Sequence, residues 1–282
     1  MSALPQRNHE ATLRQAIEQE MESDGLELPL LPSGAMQILE LCQSPDSSAA
    51  ALSTAVHRDP ALAAHVLRVA NSTAYAGSSP VVSLQQAIGR LGQRTIAEIV
   101  VAVSVKGAVF DLPEFRSELE GLWKHAAAAG AWAREIARHR RRSVDAALLC
   151  GLLQNVGMPV LLKSLTIQAR ALGGIPKEKL WSLAEEYHPA AGSRLARLWG
   201  LPDQVTEAIL YHHEFDTAPT RGDEARMVAL SDQLSTHLLA GTIETPEAGE
   251  HPSTADLNLY PDDLAAILET APDVLRFVET MR

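Results

Sequence analysis

The amino-acid sequence predicts an all-α protein, and three observations support this fold class. Apolar residues recur at helical spacing along most of the 282 residues. Helix start and stop signals lie beside these apolar stripes. The best strand candidate is the β-branched run at residues 99–105, which has helical patterns on both sides and no visible partner strand. We therefore predict a buried helix there, with a strand as the alternative.

Start and stop signals divide the first part of the chain into helices. Asp59 precedes Pro60 and is predicted to cap a helix, and Asp46 precedes an alanine-rich run. Asn71 and Gly92 are predicted helix stops. The apolar stripes between these signals include Ala35, Ile38, Leu39 and Cys42, then Leu62, Val66, Val69 and Ala70, then Leu84, Ala87, Ile88 and Leu91.

The pattern changes near Asp111-Leu112-Pro113, where we predict the boundary between two helical lobes. A long helical pattern then runs to about Arg142, and shorter ones follow to about Ala240. Gly, Pro, Thr and Glu dominate residues 241–260, which predicts a mobile loop, and Pro261 opens a final helical pair. The predicted organisation is a helical extension at 1–25, a first lobe at 26–112 and a second lobe at 113–282.

The charge balance limits the kinds of partner. The chain carries 24 Lys and Arg against 35 Asp and Glu, a net charge of −11. Such a surface repels polyphosphate, so we expect neither nucleic acid nor an anionic membrane as a partner.

The cysteines and the apolar segments predict a soluble, cytoplasmic protein. Cys42 and Cys150 are too few for a disulfide framework. Residues 1–22 are polar and resemble no export signal. Residues 144–162 are apolar, but polar and helix-breaking residues interrupt them, which favours a buried helix and a turn over a membrane span. These interruptions are Gln154, Asn155, Gly157 and Pro159.

Several polar residues lie on apolar helical stripes or at helix ends. His125 shares a face with Trp132, and Asn155 follows Gln154 on another stripe. Asp232 lies on a third stripe, where a carboxylate is costly unless it is paired, hydrogen-bonded or bound to a cation. The others are His188, which precedes Pro189, and the pair His212 and His213. His and Asp residues of this kind are typical of metal sites, although a single buried histidine is more simply a hydrogen-bonded core residue.

The order of these residues resembles the HD superfamily of metal-dependent phosphohydrolases, and its HD-GYP branch in particular. His125 matches the first histidine of the family pattern, and Asp232 matches the last aspartate. His188, His212 and His213 match the additional histidines of the HD-GYP branch. The His-Asp doublet does not match, because Gln154 and Asn155 stand at its two positions.

The substituted doublet removes what the family's chemistry requires. The resemblance implies that the doublet aspartate bridges two cations that activate a water. Asn155 keeps a carbonyl oxygen but lacks the negative charge, and Gln154 cannot replace an imidazole at the same reach. We therefore expect no catalytic residue, no bound metal and no cofactor. The retained residues are expected to form a buried hydrogen-bond network, in which His125 or neighbouring helices satisfy Asp232.

The first lobe narrows the resemblance to the HD-related output domain, or HDOD. The matching fragments are Leu28-Pro29, Leu31-Pro32, Arg58-Asp59-Pro60-Ala61-Leu62, Leu67-Arg68-Val69-Ala70-Asn71-Ser72 and Ala87-Ile88-Gly89-Arg90-Leu91-Gly92. They place residues 26–240 in this family. Asp59, Pro60, Asn71, Ser72 and Gly92 carry the pattern, and we favour capping, helix termination or close packing as the role of these residues.

The basic run at residues 138–142 permits two interpretations. Four arginines and a histidine resemble a phosphate or nucleotide site. They also fall at the end of the long predicted helix, where cations complement the helix dipole, and we favour this second interpretation.

Together these features predict a non-catalytic bacterial signal-transduction output module. The resemblance implies that it acts by binding another signalling protein. The sequence also permits a homo-oligomer. No receiver, kinase or cyclase domain is visible, so we expect the input from another chain. One alternative is a divergent phosphohydrolase for nucleotides or cyclic dinucleotides, with one metal at His125, His188, His212, His213 and Asp232. Another is a nucleotide sensor that uses the remnant pocket and the arginines.

Overall fold

The computed structural model describes residues 4–23, 25–44, 47–72, 75, 79–219 and 222–281. Within these residues the secondary structure is helical and contains no strand, which confirms the all-α prediction. The α-helices are α1 (Leu4–Glu22), α2 (Ser33–Gln43), α3 (Ala49–His57), α4 (Pro60–Ala70), α5 (Leu84–Val109), α6 (Arg116–His139), α7 (Val144–Leu153), α8 (Gly157–Ala171), α9 (Lys177–Leu198), α10 (Asp203–Tyr211), α11 (Gly222–Ala240), α12 (Pro252–Asp256), α13 (Pro261–Leu268) and α14 (Ala271–Thr280). Residues 99–105 lie inside α5, as predicted, whereas Asp46 lies outside the described residues.

Local hydrogen bonds account for several helix ends. Oδ1 of Asp59 accepts hydrogen bonds from the backbone N–H groups of Ala61 and Leu62, both at 3.0 Å, while Pro60 begins α4. Asn71 follows the end of α4 and bonds both the N–H and the carbonyl of Val81, so it fastens the connection to α5.

The other two residues of the family pattern also have structural roles. The Ser72 hydroxyl donates to the carbonyl of Val69 at 2.7 Å, next to the end of α4. Gly92 has φ +81°, in the left-handed region, and breaks the helical path inside α5. Gly92 therefore ends the first part of α5, as predicted, and the second part of α5 continues directly after it.

Helix α6 runs through the centre of the molecule. All twelve of its consecutive residues from 126 to 137 are buried, so it contacts protein on every side. One hydrophobic cluster joins α6 to α2–α5, α11 and α14. A second joins α1 and the end of α5 to α8, α9 and α10. Each cluster contains residues from both sides of Pro113.

Two glycine contacts set the helix spacing around the polar residues. A Cβ on Gly151 of α7 would lie 2.6 Å from the carbonyl oxygen of Ala129 in α6. A Cβ on Gly157, the first residue of α8, would overlap the carbonyl oxygen of His188 in α9. These close approaches bring the end of α7 next to α6 and the start of α8 next to His188.

The apolar stretch Ala146–Ala171 is long and apolar enough to cross a membrane by length and composition, with a mean hydropathy of 1.4 over its most apolar 18 residues. In the structure it comprises most of α7 and all of α8, with a turn between them, and 89% of its most apolar window is buried inside the protein. Its apolar composition is accounted for by the core.

Residues 241–260 are more structured than we predicted. They contain a 3₁₀-helix, Pro246–Gly249, as well as α12. Ala248, Ser253 and Leu257 are fully buried, which corrects the expectation of an unanchored loop. Composition was misleading because prolines begin both short helices. The mobility of this segment stays a prediction.

Candidate functional site

His125, Gln154 and Asp232 come together from three elements. His125 lies on α6, Gln154 directly follows α7, and Asp232 lies on α11. The side-chain amide of Gln154 donates to Oδ1 of Asp232 at 2.8 Å. Nδ1 of His125 lies 3.7 Å from the same oxygen, which is an ion-pair distance but too long for a hydrogen bond. Gln154, rather than His125, is therefore the donor to Asp232.

The two doublet positions are buried, while Asp232 is not. Gln154 is fully buried and Asn155 is 8% exposed. The side chain of Asp232 is 32% exposed, because this part of α11 borders a cavity instead of the core. The expected buried network is thus a partly solvated site in which the amide of Gln154 is the donor to Asp232.

The additional histidines converge on one point. His188 on α9 and His212 and His213 at the end of α10 each have a ring nitrogen within 4.8 Å of the others. Nε2 of His188 lies 3.3 Å from Nε2 of His212, and both rings are buried. His213 is exposed and packs against His212, with the ring centroids 4.0 Å apart.

Hydrogen bonds orient the two buried rings. Nδ1 of His188 bonds the carbonyl oxygen of Glu185 at 2.7 Å, and Nδ1 of His212 bonds the carbonyl of Ile209 at 2.8 Å. A carbonyl only accepts, so Nδ1 carries the proton in both neutral rings. Burial lowers the pKa of His188 to about 4 and lowers the pKa of His212 well below its usual value. Near neutral pH two Nε2 lone pairs therefore face each other.

This arrangement fits one cation and does not fit the dinuclear centre of the HD superfamily. Imidazoles whose Nδ1–H groups bond backbone carbonyls and whose Nε2 lone pairs converge are a common metal-ligand arrangement. His188, His212 and His213 would hold such a cation. Two bridged cations do not fit, because Asn155 lacks the bridging charge and Gln154 already bonds Asp232.

A small cavity connects the histidines to Asp232. It has a volume of about 160 Å³, and its lining includes His212, His213, Asp232 and His251. His251 was missed in the sequence, although it precedes Pro252 as His188 precedes Pro189. Its Nδ1 accepts the N–H of Ser253 at 3.1 Å, so Nε2 carries the proton in the neutral ring. His251 is thus a hydrogen-bond donor at the cavity and not a ligand of the Nε2 type.

Three of the four arginines in the basic run at residues 138–142 form ion pairs within the protein. Arg140 and Arg142 bond the same carboxylate oxygen of Asp223, at 3.0 and 2.6 Å, and Arg138 pairs with Glu135. The two ion pairs to Asp223 fasten the end of α6 to the start of α11. They favour the structural interpretation of the basic run over a nucleotide site.

The helical architecture defines the class of this protein as an HD-like helical fold. The HDOD domain model matches residues 28–215, more than half of the chain, and the chain therefore belongs to the HDOD domain family.

One relative of known sequence matches most of this chain. An uncharacterized protein of Treponema pallidum (strain Nichols) is 28% identical over 204 residues, which are 68% of this chain and 39% of that protein. The chain thus spans well under half of that relative.

Two solved structures illustrate the likeness in fold. A candidate metal-dependent phosphohydrolase from Shewanella amazonensis SB2B has a TM-score of 0.77 at 19% identity, covering 98% of this chain and 100% of that chain. An HDOD domain protein of unknown function from Geobacter sulfurreducens has a TM-score of 0.68 at 20% identity, covering 96% and 97%.

Proposed function

We propose that this protein is a non-catalytic signal-transduction module of the bacterial cytoplasm that acts by binding another protein. The observation that carries the proposal is the bond from Gln154 to Asp232 at the substituted doublet. A phosphohydrolase of this fold needs charged ligands there to bind cations and lower the pKa of a water. An amide supplies neither charge nor a second metal bridge.

Family membership and fold supply the remaining support. The chain belongs to the HDOD family and is similar in fold to a candidate signal transduction protein from Marinobacter aquaeolei VT8, with a TM-score of 0.64 at 24% identity over 96% of this chain and 64% of that chain. A helical module without catalysis can transmit a signal only through the surfaces that it presents.

The test compares the native protein with the double variant Gln154→His/Asn155→Asp. We expect no phosphodiester or phosphomonoester hydrolysis by the native protein with Mn²⁺. The variant should bind more Mn²⁺, because it gains an imidazole and a carboxylate beside Asp232. Metal-dependent turnover by the native protein would overturn the proposal.

The facing Nε2 atoms of His188 and His212 favour a second candidate, a divergent phosphohydrolase with a single metal. Its cation would be held by His188, His212 and His213, and its substrate would reach Asp232 and His251 through the shared cavity. A bound cation would polarise a phosphoester or a water.

Elemental analysis of the purified protein separates the two candidates. His212→Ala removes a buried ligand, whereas His139→Ala changes an exposed histidine outside the site and is the matched control. Metal and turnover that both disappear in His212→Ala, and persist in His139→Ala, would establish the enzyme. Metal without turnover would leave the non-catalytic module in place, with a structural cation.

A further inference from the structure

A groove crosses the C-terminal part of α5, far in sequence from His188, His212 and His213. On one side a cavity of about 750 Å³ lies between α5 and α6. On the other side a cavity of about 380 Å³ lies between α5, α2 and the start of α4. Both cavities are open to solvent and share Val103 and Gly107. They therefore form one surface feature, which we call the α5 groove.

The floor of the α5 groove is apolar and held in place. Phe110 meets the ring of Trp123 edge to face, with centroids 5.2 Å apart at 71°. The indole N–H of Trp123 donates to the carbonyl of Met281 at 2.9 Å, so the ring is fixed from behind. Gly107 has open space where a Cβ would be, so no side chain obstructs the centre of the groove.

The charged residues around the α5 groove carry an excess of one positive charge, whereas the whole chain carries −11. Four cationic residues line it, and three acidic ones. One of the acids, Asp59, already caps α4. Among the described residues Arg116 and Lys124 have no ion-pair partner. The cations are Arg58, Lys106, Arg116 and Lys124, and the acids are Asp59, Asp111 and Glu120.

We propose that the α5 groove binds an acidic amphipathic helix of a partner protein. A helix is about 10 Å wide, and its apolar face can lie on the half-buried Val103 and Phe110, which the buried Trp123 supports from below, while its acidic face meets Arg116 and Lys124. A small ligand would fit less well, because an open groove on both sides of α5 cannot bury most of its surface. The inference rests on the proposed function and names the partner class and the surface.

The test uses a displayed library of random peptides of about 16 residues, long enough for about four helical turns, selected on the full protein. We expect selected peptides to carry Asp or Glu opposite apolar residues at helical spacing. Gly107→Leu fills the centre of the groove without a clash and should weaken their binding at least about ten-fold. Gly89→Leu lies on the same helix outside the groove, also in open space, and should leave binding unchanged. Arg116→Glu/Lys124→Glu should weaken binding through charge reversal.

Several results would overturn the α5 groove as this docking site. They are an absence of selected peptides, selection of basic peptides, or affinities that Gly107→Leu leaves unchanged. If the protein bound a mononucleotide tightly and Gly107→Leu abolished that binding, the ligand of the groove would be a small molecule and not a helix. Each of these outcomes is compatible with the proposed function, which would then act through another surface. Phosphoester turnover by the native protein would instead overturn the proposed function and would not test helix binding in the α5 groove.

Discussion

His65 is a buried imidazole on α4 that is expected to make stability depend on pH. It is 9% exposed, and its Nε2 has no hydrogen-bond partner among the described residues. Burial, together with the positive charges of Arg68 and Lys106, lowers its pKa from 6.5 to about 4. The unfolded chain therefore binds more protons than the folded protein between these values, and the stability that His65 contributes is lost as the pH falls through this range.

We predict that His65→Gln makes the fall in stability between pH 6.5 and pH 4 shallower. The reduction should approach about 1.4 kcal/mol in the free energy of unfolding for each pH unit. Urea denaturation at a series of pH values measures it. His139→Gln, at an exposed position, is the control and should keep the native slope. Equal slopes for His65→Gln and the native protein would contradict the prediction.

The bond between Gln154 and Asp232 leads to a second prediction at the residue scale. Asp232→Ala leaves the amide of the fully buried Gln154 without its acceptor, so we expect a loss of ~1–3 kcal/mol in the free energy of unfolding. Asp232→Asn keeps an oxygen acceptor of the same reach and should lose much less. If Asp232→Asn and Asp232→Ala lower the midpoint of thermal denaturation by the same amount, the charge of Asp232 contributes more to stability than its hydrogen bond.

At the scale of helices, Gly157 controls the contact between α8 and α9. Gly157→Ala would place a methyl group on the carbonyl oxygen of His188, and two backbones cannot move apart as easily as side chains can. We expect a loss of about 3 kcal/mol, at the upper end of what overpacking costs. Gly89→Ala is the control: its Cβ meets open space in α5, so higher helix propensity should add up to about 1 kcal/mol. Chemical denaturation of both variants measures the contrast.

Helix boundaries could be predicted where they depend on neighbours in sequence. Asp59 and Asn71 end or begin helices through bonds to residues at most four positions away, apart from the link of Asn71 to Val81. The segment 241–260 could not be predicted in this way. Its anchors, Ala248 and Leu257, are buried by other helices. The amino-acid composition of a segment does not show which helices it will contact.

At the scale of the whole molecule, the two hydrophobic clusters predict a single unfolding transition. Each cluster contains residues from both sides of Pro113, and α6 contributes to both. Loss of either half therefore exposes the core of the other. We expect calorimetry, far-ultraviolet circular dichroism and tryptophan fluorescence to give the same midpoint. Two separate transitions, or early proteolytic cleavage near Asp111 that leaves a folded half, would show that the halves are independent.

The sequence by itself determined the all-α class and the caps of α4, because helical periodicity and local hydrogen bonds depend on residues a few positions apart. Only the tertiary structure decided that Gln154 bonds Asp232, that Nε2 of His188 faces Nε2 of His212, and that His251 joins their cavity. The two residues of each bonded or facing pair are separated by 24 or more positions in the sequence. Their distances depend on how helices pack, which close glycine contacts such as that of Gly157 determine.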